Sequence, residues 1–418
     1  MRKPWIPAMA VALPLALAAC GGSAPPGTEG SGGGGGGGGS GETITIGSLH
    51  PLSGAAAADG QQMDNGAKLA IEAINEAGGI EALDGAQLEL ASADTQGAPE
   101  VGQSEAQRLI EEGAVALLGT YQSAVSQNVA AVAERNQVPF VIDVSSADAI
   151  LQQGYKFTFR LQPSAAVLAE RGAEYLADVS ENADTPAQKV AILHEQGPFG
   201  TAIKDTFSAK AESLGMEIGP VISYDPASVS DFTTQLTTVR EAGADVLMVA
   251  GYYRDGVLVA NAVNTVQPGL DAVWGVANGA FDTPQFPGEV GEAGEGFFDA
   301  NYRLDMTNPD TQELADKYKA EYGDDIRTAA VLSYDAVRVI AAALESAGDA
   351  SPQAVRDAIA ETDLDSLIAQ DGPIAFDETG ENENAAPILM QVIDGVVTQV
   401  FPEDYAEAEP VYPATAGP

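Results

Sequence analysis

The sequence is poor in the residues that staple or catalyse. Cysteine occurs once, at Cys20, so no disulfide can close within the chain and the fold must be held by its core. Histidine occurs twice, at His50 and His194, with no pair at helical spacing, so a histidine-based metal site is not supported. Each sits at a strand exit, where it can touch a ligand or simply be an ordinary hydrogen-bonded loop histidine. No Gly-x-Ser-x-Gly nucleophile turn is present. Cations are scarce as well: 19 Lys and Arg stand against 61 Asp and Glu, a formal net charge of −42. Nucleic acid is thereby excluded as a natural partner, because phosphates are bound through cations. The acids are spread along the chain and so numerous that no catalytic pair stands out. The chain reads as a non-enzyme with no metal and no cofactor. So acidic a surface suits salty surroundings, where screening weakens self-repulsion, and equally serves plain solubility.

What is present begins with an export signal. Arg2 and Lys3 precede a short apolar stretch over 5–19 that contains no acid and is too short to span a bilayer comfortably. It ends in Leu17, Ala18, Ala19 and Cys20, followed by Gly21 and Gly22. This arrangement resembles the bacterial-type lipobox. The resemblance implies a signal over 1–20, a diacylglycerol on Cys20, and a protein held at the extracytoplasmic face of the membrane. Residues 21–42 are nearly all Gly, Ser, Pro and Ala, with glycine at every position from 32 to 39, and are expected to be a flexible tether. A phosphate-cradling loop would need a preceding strand, a following helix and usually a lysine, all missing here.

About 375 residues then remain, enough for two domains. Short apolar runs alternate with amphipathic helical stretches. Strands are expected at 44–49, 88–93, 114–118 and 138–142, with helices after the first three, the second and third at 101–112 and 123–135. A strand at 157–160 and a crossover at 162–164 lead to a second series: strands at 190–193, 221–224, 246–250 and 272–275, with helices at 165–176, 201–214, 231–242 and 256–266. Helix is expected from 309 to 344 and again at 355–360, then three short strands at 374–376, 388–393 and 396–400. Buried runs separated by helices indicate parallel sheets covered on both faces. The expected fold is α/β: two doubly wound lobes with parallel central sheets, joined by three crossovers. Lobe 1 comprises 43–162 and 302–368; lobe 2 comprises 163–301 and 369–413.

Open α/β sheets bind ligands beyond the carboxyl ends of their strands. That rule selects the loops at 50–60, 119–126, 143–148, 194–200, 251–256 and 278–282. In two of them Ser123, beside Gln122, and Ser145 and Ser146, beside Ala147, offer hydroxyls just before helix starts, where free backbone N–H groups can receive an anionic oxygen. Ser123 and Ser146 can equally be plain helix N-caps, and the two roles can coexist. Tyr252 and Tyr253 add aromatic rings and phenols.

On these residues the chain resembles the solute-binding proteins of ABC importers with the type I periplasmic fold, of the branched-chain amino acid (leucine, isoleucine and valine) binding family. The likeness runs from Ile44 to Pro413. It rests on Ile46 and Gly47 through Pro51, Leu52, Ser53 and Gly54; on Asn65 to Ala70 with Ile74, Asn75, Gly78, Gly79 and Ile80; and on Gly251, Tyr252 and Tyr253. Further matches are Tyr334, Asp335 and Ala336, then Leu344 and Glu345 with Ala347 and Gly348, then Gly372, Pro373 and Ile374 with Phe376, Asp377 and Gly380.

The resemblance implies that Ser123 and the segment Ser145, Ser146 and Ala147 hold a ligand carboxylate, with Tyr252 or Tyr253 closing from the second lobe. Two departures stand out. Where the family has an acid for the ligand ammonium this chain has Ala277 and Asn278, and Asp59 replaces an aromatic residue. Asp59 would then restore the missing charge from the other lobe, or the ligand lacks an ammonium and is an amide, a urea or an aromatic acid; an amino acid is the first expectation. The implied partners are ABC permease and ATPase subunits, with the receptor a monomer that closes about a hinge near 161–164, 299–303 and 365–373. A sensor reporting to a separate signalling partner is the alternative use of the same fold.

Overall fold

A computed structural model of the chain describes residues 43–414. Cys20, the expected signal and the expected tether lie outside the described residues.

The first series of elements forms a five-stranded parallel sheet in the order β2-β1-β3-β4-β5. Its strands are β1 (Ile44–His50), β2 (Leu88–Asp94), β3 (Ala116–Gly119), β4 (Phe140–Ile142) and β5 (Thr158–Arg160). Helix α1 (Ala57–Glu76) covers one face; α2 (Pro99–Glu111) and α3 (Ser123–Asn136) cover the other. The sheet is sandwiched, so β3 and β4 are buried at every position, which is why they read as unbroken apolar runs.

The second series forms a seven-stranded sheet in the order β12-β11-β10-β9-β8-β6-β7. Helix α4 (Ala165–Asn182) precedes β6 (Lys189–Glu195), and α5 (Pro198–Ser213) precedes β7 (Glu217–Tyr224). Next come α6 (Thr233–Ala242), β8 (Val246–Ala250), α7 (Tyr253–Val266), β9 (Ala272–Val276), the short α8 (Phe286–Val290) and β10 (Phe298–Asn301). The chain then returns to the first sheet. Helices α9 (Pro309–Tyr322), α10 (Thr328–Ala347) and α11 (Pro352–Ile359) pack into the core that contains α1. Finally β11 (Ile388–Ile393) and β12 (Val396–Phe401) add antiparallel to β10. The chain thus passes between the sheets three times. The second and third passages are tied together, Ala369 N–H donating to Arg303 O at 2.8 Å and Asp305 N–H to Leu367 O at 2.9 Å.

Four sequence expectations change. Strand β10 falls where a hinge is expected, because Asp299 and Asn301 are poor strand formers; both are buried, Asp299 paired with β9 and β11 and Asn301 with β11, and tertiary pairing overrides propensity. β7 starts four residues early despite Gly219 and Pro220, since it is an edge strand where a missing N–H costs no ladder bond. The helical stretch from 309 breaks at Gly323, which caps α9 in the left-handed region (φ 75°). Ile374 and Phe376 make only isolated bridges and pack into the first core, not with the last strands, because Arg160 of β5 pairs with Glu381 and draws this turn to the first sheet.

Candidate functional site

In each sheet the strand order reverses beside one strand, at β1 in the first and β6 in the second, and the loops leaving the carboxyl ends there face each other. Between them lies a narrow cleft lined from both sides. The first sheet contributes Tyr121, Ser123, Val144, Ser145 and Ser146; the second contributes Phe199, Gly251, Tyr252, Ala277 and Gly279, and Tyr302 follows β10. The rings meet across the gap: Tyr121 and Tyr252 have centroids 5.6 Å apart, and Phe199 lies 5.9 Å from Tyr252.

The polar wall is built at two helix starts. Ser123 opens α3, and the N–H groups of Ser123 and Ala124 at its start have no intrahelical partner, while that of Val125 turns back to Gln122 O at 3.0 Å. Its Oγ accepts the N–H of Ala147 at 3.2 Å, leaving its own proton to donate into the cleft. Ser145 is fixed from behind by Ser126, which is held in turn by Thr120 Oγ1 at 2.7 Å. Ser146 Oγ makes no hydrogen bond among the described residues, so its donor and acceptor are both free for a ligand. Burial pushes the phenols of Tyr121, Tyr252 and Tyr302 well above their ordinary range, so they stay neutral and can donate.

A buried row steadies the Ser145 loop. Ser48 Oγ lies 3.0 Å from His50 Nδ1, and His50 Nε2 lies 2.8 Å from Asp143 Oδ2, which also accepts from Ser333 at 2.6 Å. The residue types are those of a hydrolase triad, but all three are 0% exposed and none lines the cleft, while Ser48 donates to Asp64. Their work is to tie β1, α10 and the exit of β4 together. His194 is likewise structural, its Nδ1 donating to Glu195 O at 2.8 Å.

The cleft gathers Ser123, Ser145, Ser146 and Tyr252 of the residues expected from sequence. Ala147 stands just behind, its amide spent on Ser123. Four others are placed elsewhere, which corrects the expectation that they meet the ligand directly. Gln122 is the backbone N-cap of α3, with its amide group against Gly97. Tyr253 turns out of the cleft, donates to Glu289 at 2.6 Å, and receives the Arg327 guanidinium on its ring face at 4.8 Å. Asn278 is fully buried, its N–H donating to Asp299 at 3.2 Å and its Oδ1 accepting from Ala280 at 3.0 Å. Asp59 is ion-paired with Arg327 and hydrogen-bonded by Tyr121. Tyr302 was missed because β10 was not recognised, so the strand-exit rule never reached it. Phe199 and Tyr121 lay within selected loops, but nothing in their local sequence aimed the rings.

Asp255 supports Tyr252 from below, accepting from the Tyr252 N–H at 3.2 Å and the Tyr224 hydroxyl at 3.0 Å. Burial pushes its carboxyl up to about 6, only partly offset by those bonds. The folded state therefore holds this proton at pH values where an unfolded aspartate has lost it, and stability from this group falls as pH rises from about 4 through 6. Asp255→Asn keeps an acceptor for both donors. It is expected to raise the melting temperature at pH 8, by an amount worth at most about 3 kcal/mol, and to change little at pH 4; calorimetry at the two pH values checks this.

The model describing periplasmic binding proteins matches residues 43–395. A Leu/Ile/Val-binding protein homolog of Brucella abortus is 28% identical over 376 residues, covering 88% of this chain and 92% of its own. Among solved structures, the branched-chain amino acid binding protein LivJ of Streptococcus pneumoniae, in complex with isoleucine, superposes with a TM-score of 0.75 at 24% identity, covering 89% of this chain and 100% of its own. A solute-binding protein from Rhodopseudomonas palustris in complex with 3,4-dihydroxybenzoic acid gives 0.74 at 22% identity, covering 88% and 98%. With two facing α/β sheets, three passages between them and a cleft at their switch points, this chain belongs to the periplasmic binding proteins, with their type I fold.

Proposed function

We propose that this chain is the lipid-anchored receptor of an ABC importer, held outside the cytoplasmic membrane through Cys20, and that it captures a small carboxylate between its two lobes. The observation that carries the ligand class is the wall of hydroxyls, with Ser123 at the start of α3 and Ser145 and Ser146 in the loop after β4, facing neutral aromatic rings. A carboxylate takes the donors and the helix start, and a compact apolar body takes the rings. Isoleucine and 3,4-dihydroxybenzoic acid, the ligands of two relatives, share that chemistry. An amide or urea lacks the anion that this wall favours. The monomer binds solute on one lobe and closes the other over it; the closed form is what a permease recognises, and the partner ATPases supply the energy.

The test is a thermal-shift screen of the full chain against branched-chain and aromatic amino acids, their des-amino acids, benzoates, amides and urea. A carboxylate is expected to raise the melting temperature, since a ligand bound only by the folded state stabilises it. Ser123→Ala is expected to weaken that ligand at least tenfold by calorimetry, with only the small drop in ligand-free melting temperature that the orphaned Ala147 N–H brings. A shift given by urea or an amide and by no carboxylate would overturn the assignment.

A further inference from the structure

Asp59 lies one hydrogen bond behind the Tyr121 ring of the ligand wall. It is not free. Arg327 Nη1 pairs with its Oδ1, and the two side chains are only 9% and 8% exposed. Arg327 is fixed there from other directions too. Its backbone N–H donates to Gln62 Oε1 at 3.1 Å, and its guanidinium lies over the Tyr253 ring, which belongs to the opposite lobe.

Most of the other carboxylates around the cleft are engaged by hydrogen bonds, and Asp282, whose side chain makes none to another of the described residues, faces Arg303, whose Nη1 donates to the Asp282 backbone oxygen at 2.6 Å. Asp143 holds His50 and Ser333 and does not line the cleft. Glu195 accepts from the N–H groups of Gly197 and Gly200, Asp255 from Tyr252 and Tyr224, and Asp299 from Asn278 and Asn301. An ammonium drawn into this closed cleft would give up its water and find neutral rings, with a guanidinium already on Asp59. Burying a charge without a partner is strongly unfavourable.

We propose that Arg327 is a specificity-determining residue: by neutralising Asp59 it removes the counter-charge for an ammonium, so the receptor selects carboxylates that carry no amino group. This rests on the carboxylate reading above and narrows it. Arg327 does not touch the ligand; it acts through Asp59 and Tyr121. Asp59 stands where an aromatic residue is expected from the family resemblance, and its charge is spent on the protein instead of the solute.

The test is isothermal titration calorimetry of the full chain with two matched pairs, leucine with 4-methylpentanoate and phenylalanine with 3-phenylpropanoate. The wild type is expected to bind at least one des-amino acid, and to bind it no less than tenfold tighter than its amino acid. Arg327→Met, which keeps the apolar stem and frees Asp59, is expected to move that ratio at least tenfold toward the amino acid. Adding Asp59→Asn to it removes both charges and should restore the preference for the des-amino acid, a reversal that mere loosening of the fold would not produce. Should Arg327→Met fail to fold, the wild-type ratio and the double variant still decide. Equal or tighter binding of the amino acids by the wild type would overturn the inference while leaving the carboxylate reading intact. An unchanged ratio in Arg327→Met would overturn the role of Arg327. Binding of no member of either pair would overturn the inference as well, while the carboxylate reading is decided by the wider thermal-shift screen.

Discussion

Gly279→Val is expected to reduce ligand affinity by a hundredfold or more while leaving the melting temperature of the ligand-free protein within a few degrees of wild type. A Cβ at this position would lie 2.7 Å from the Tyr121 hydroxyl, which comes from the other lobe, and 3.0 Å from the Tyr253 nitrogen. Tyr121 cannot swing aside cheaply, because its phenol is bonded to Asp59 and its ring packs on Tyr252. The two added methyl groups therefore hold the lobes apart at the place where they must meet. Each lobe keeps its own core, so the effect falls on closure and not on folding. Calorimetric affinity together with ligand-free thermal melting separates the two. A variant that binds normally would show that the lobes close without bringing Gly279 to Tyr121.

The largest loss of stability is expected from Gly66→Ala. Gly66 lies inside α1 where α10 crosses it, and a Cβ there would fall 2.0 Å from the carbonyl oxygen of Ala330, a contact with backbone and not with a movable side chain. The helices must separate, and they form one wall of the first core, where Met63, Ala67 and Ala70 are buried against Ala330, Val331 and Val337. Overpacking of this kind costs about 3 kcal/mol or more, which lowers the melting transition by roughly 4 °C or more in a protein of this size. Gly288→Ala in α8, where nothing lies within 4 Å of the added atom, is the matched control and should change little. Differential scanning calorimetry of the three proteins checks both expectations.

The glycine in α1 also illustrates what a sequence can and cannot carry. As part of the run Asn65 to Ala70 it supported the family resemblance, and Met63, Ala67, Ala70 and Ile71 recur at the spacing of one buried helix face. That a glycine is required there depends on Ala330, far along the chain. Most of the α/β alternation was legible in the same way, because buried parallel strands are short apolar runs and the helices between them carry one apolar face. β10 escaped because its polar residues are paired by strands remote in sequence. The site divides along the same line. Ser123, Ser145, Ser146 and Tyr252 follow from strand exits, a local property. Asn278 also lies after a strand, but its backbone turns in beneath Ala277, which has φ 51°, and leaves its side chain in the core.

The sequence by itself determined the class of fold, the loops that line the cleft and the hydroxyls on its wall, since each depends on residues close in the chain. It also showed that Asp59 was out of place for the family it resembles. Only the tertiary structure decided what that acid does. Its partner Arg327 lies 268 positions away, and no local pattern reports a distance of that kind. Burial then makes the pairing decisive: in water one exposed acid more or less would matter little, whereas inside a closed cleft a neutralised carboxylate changes which solute can be held.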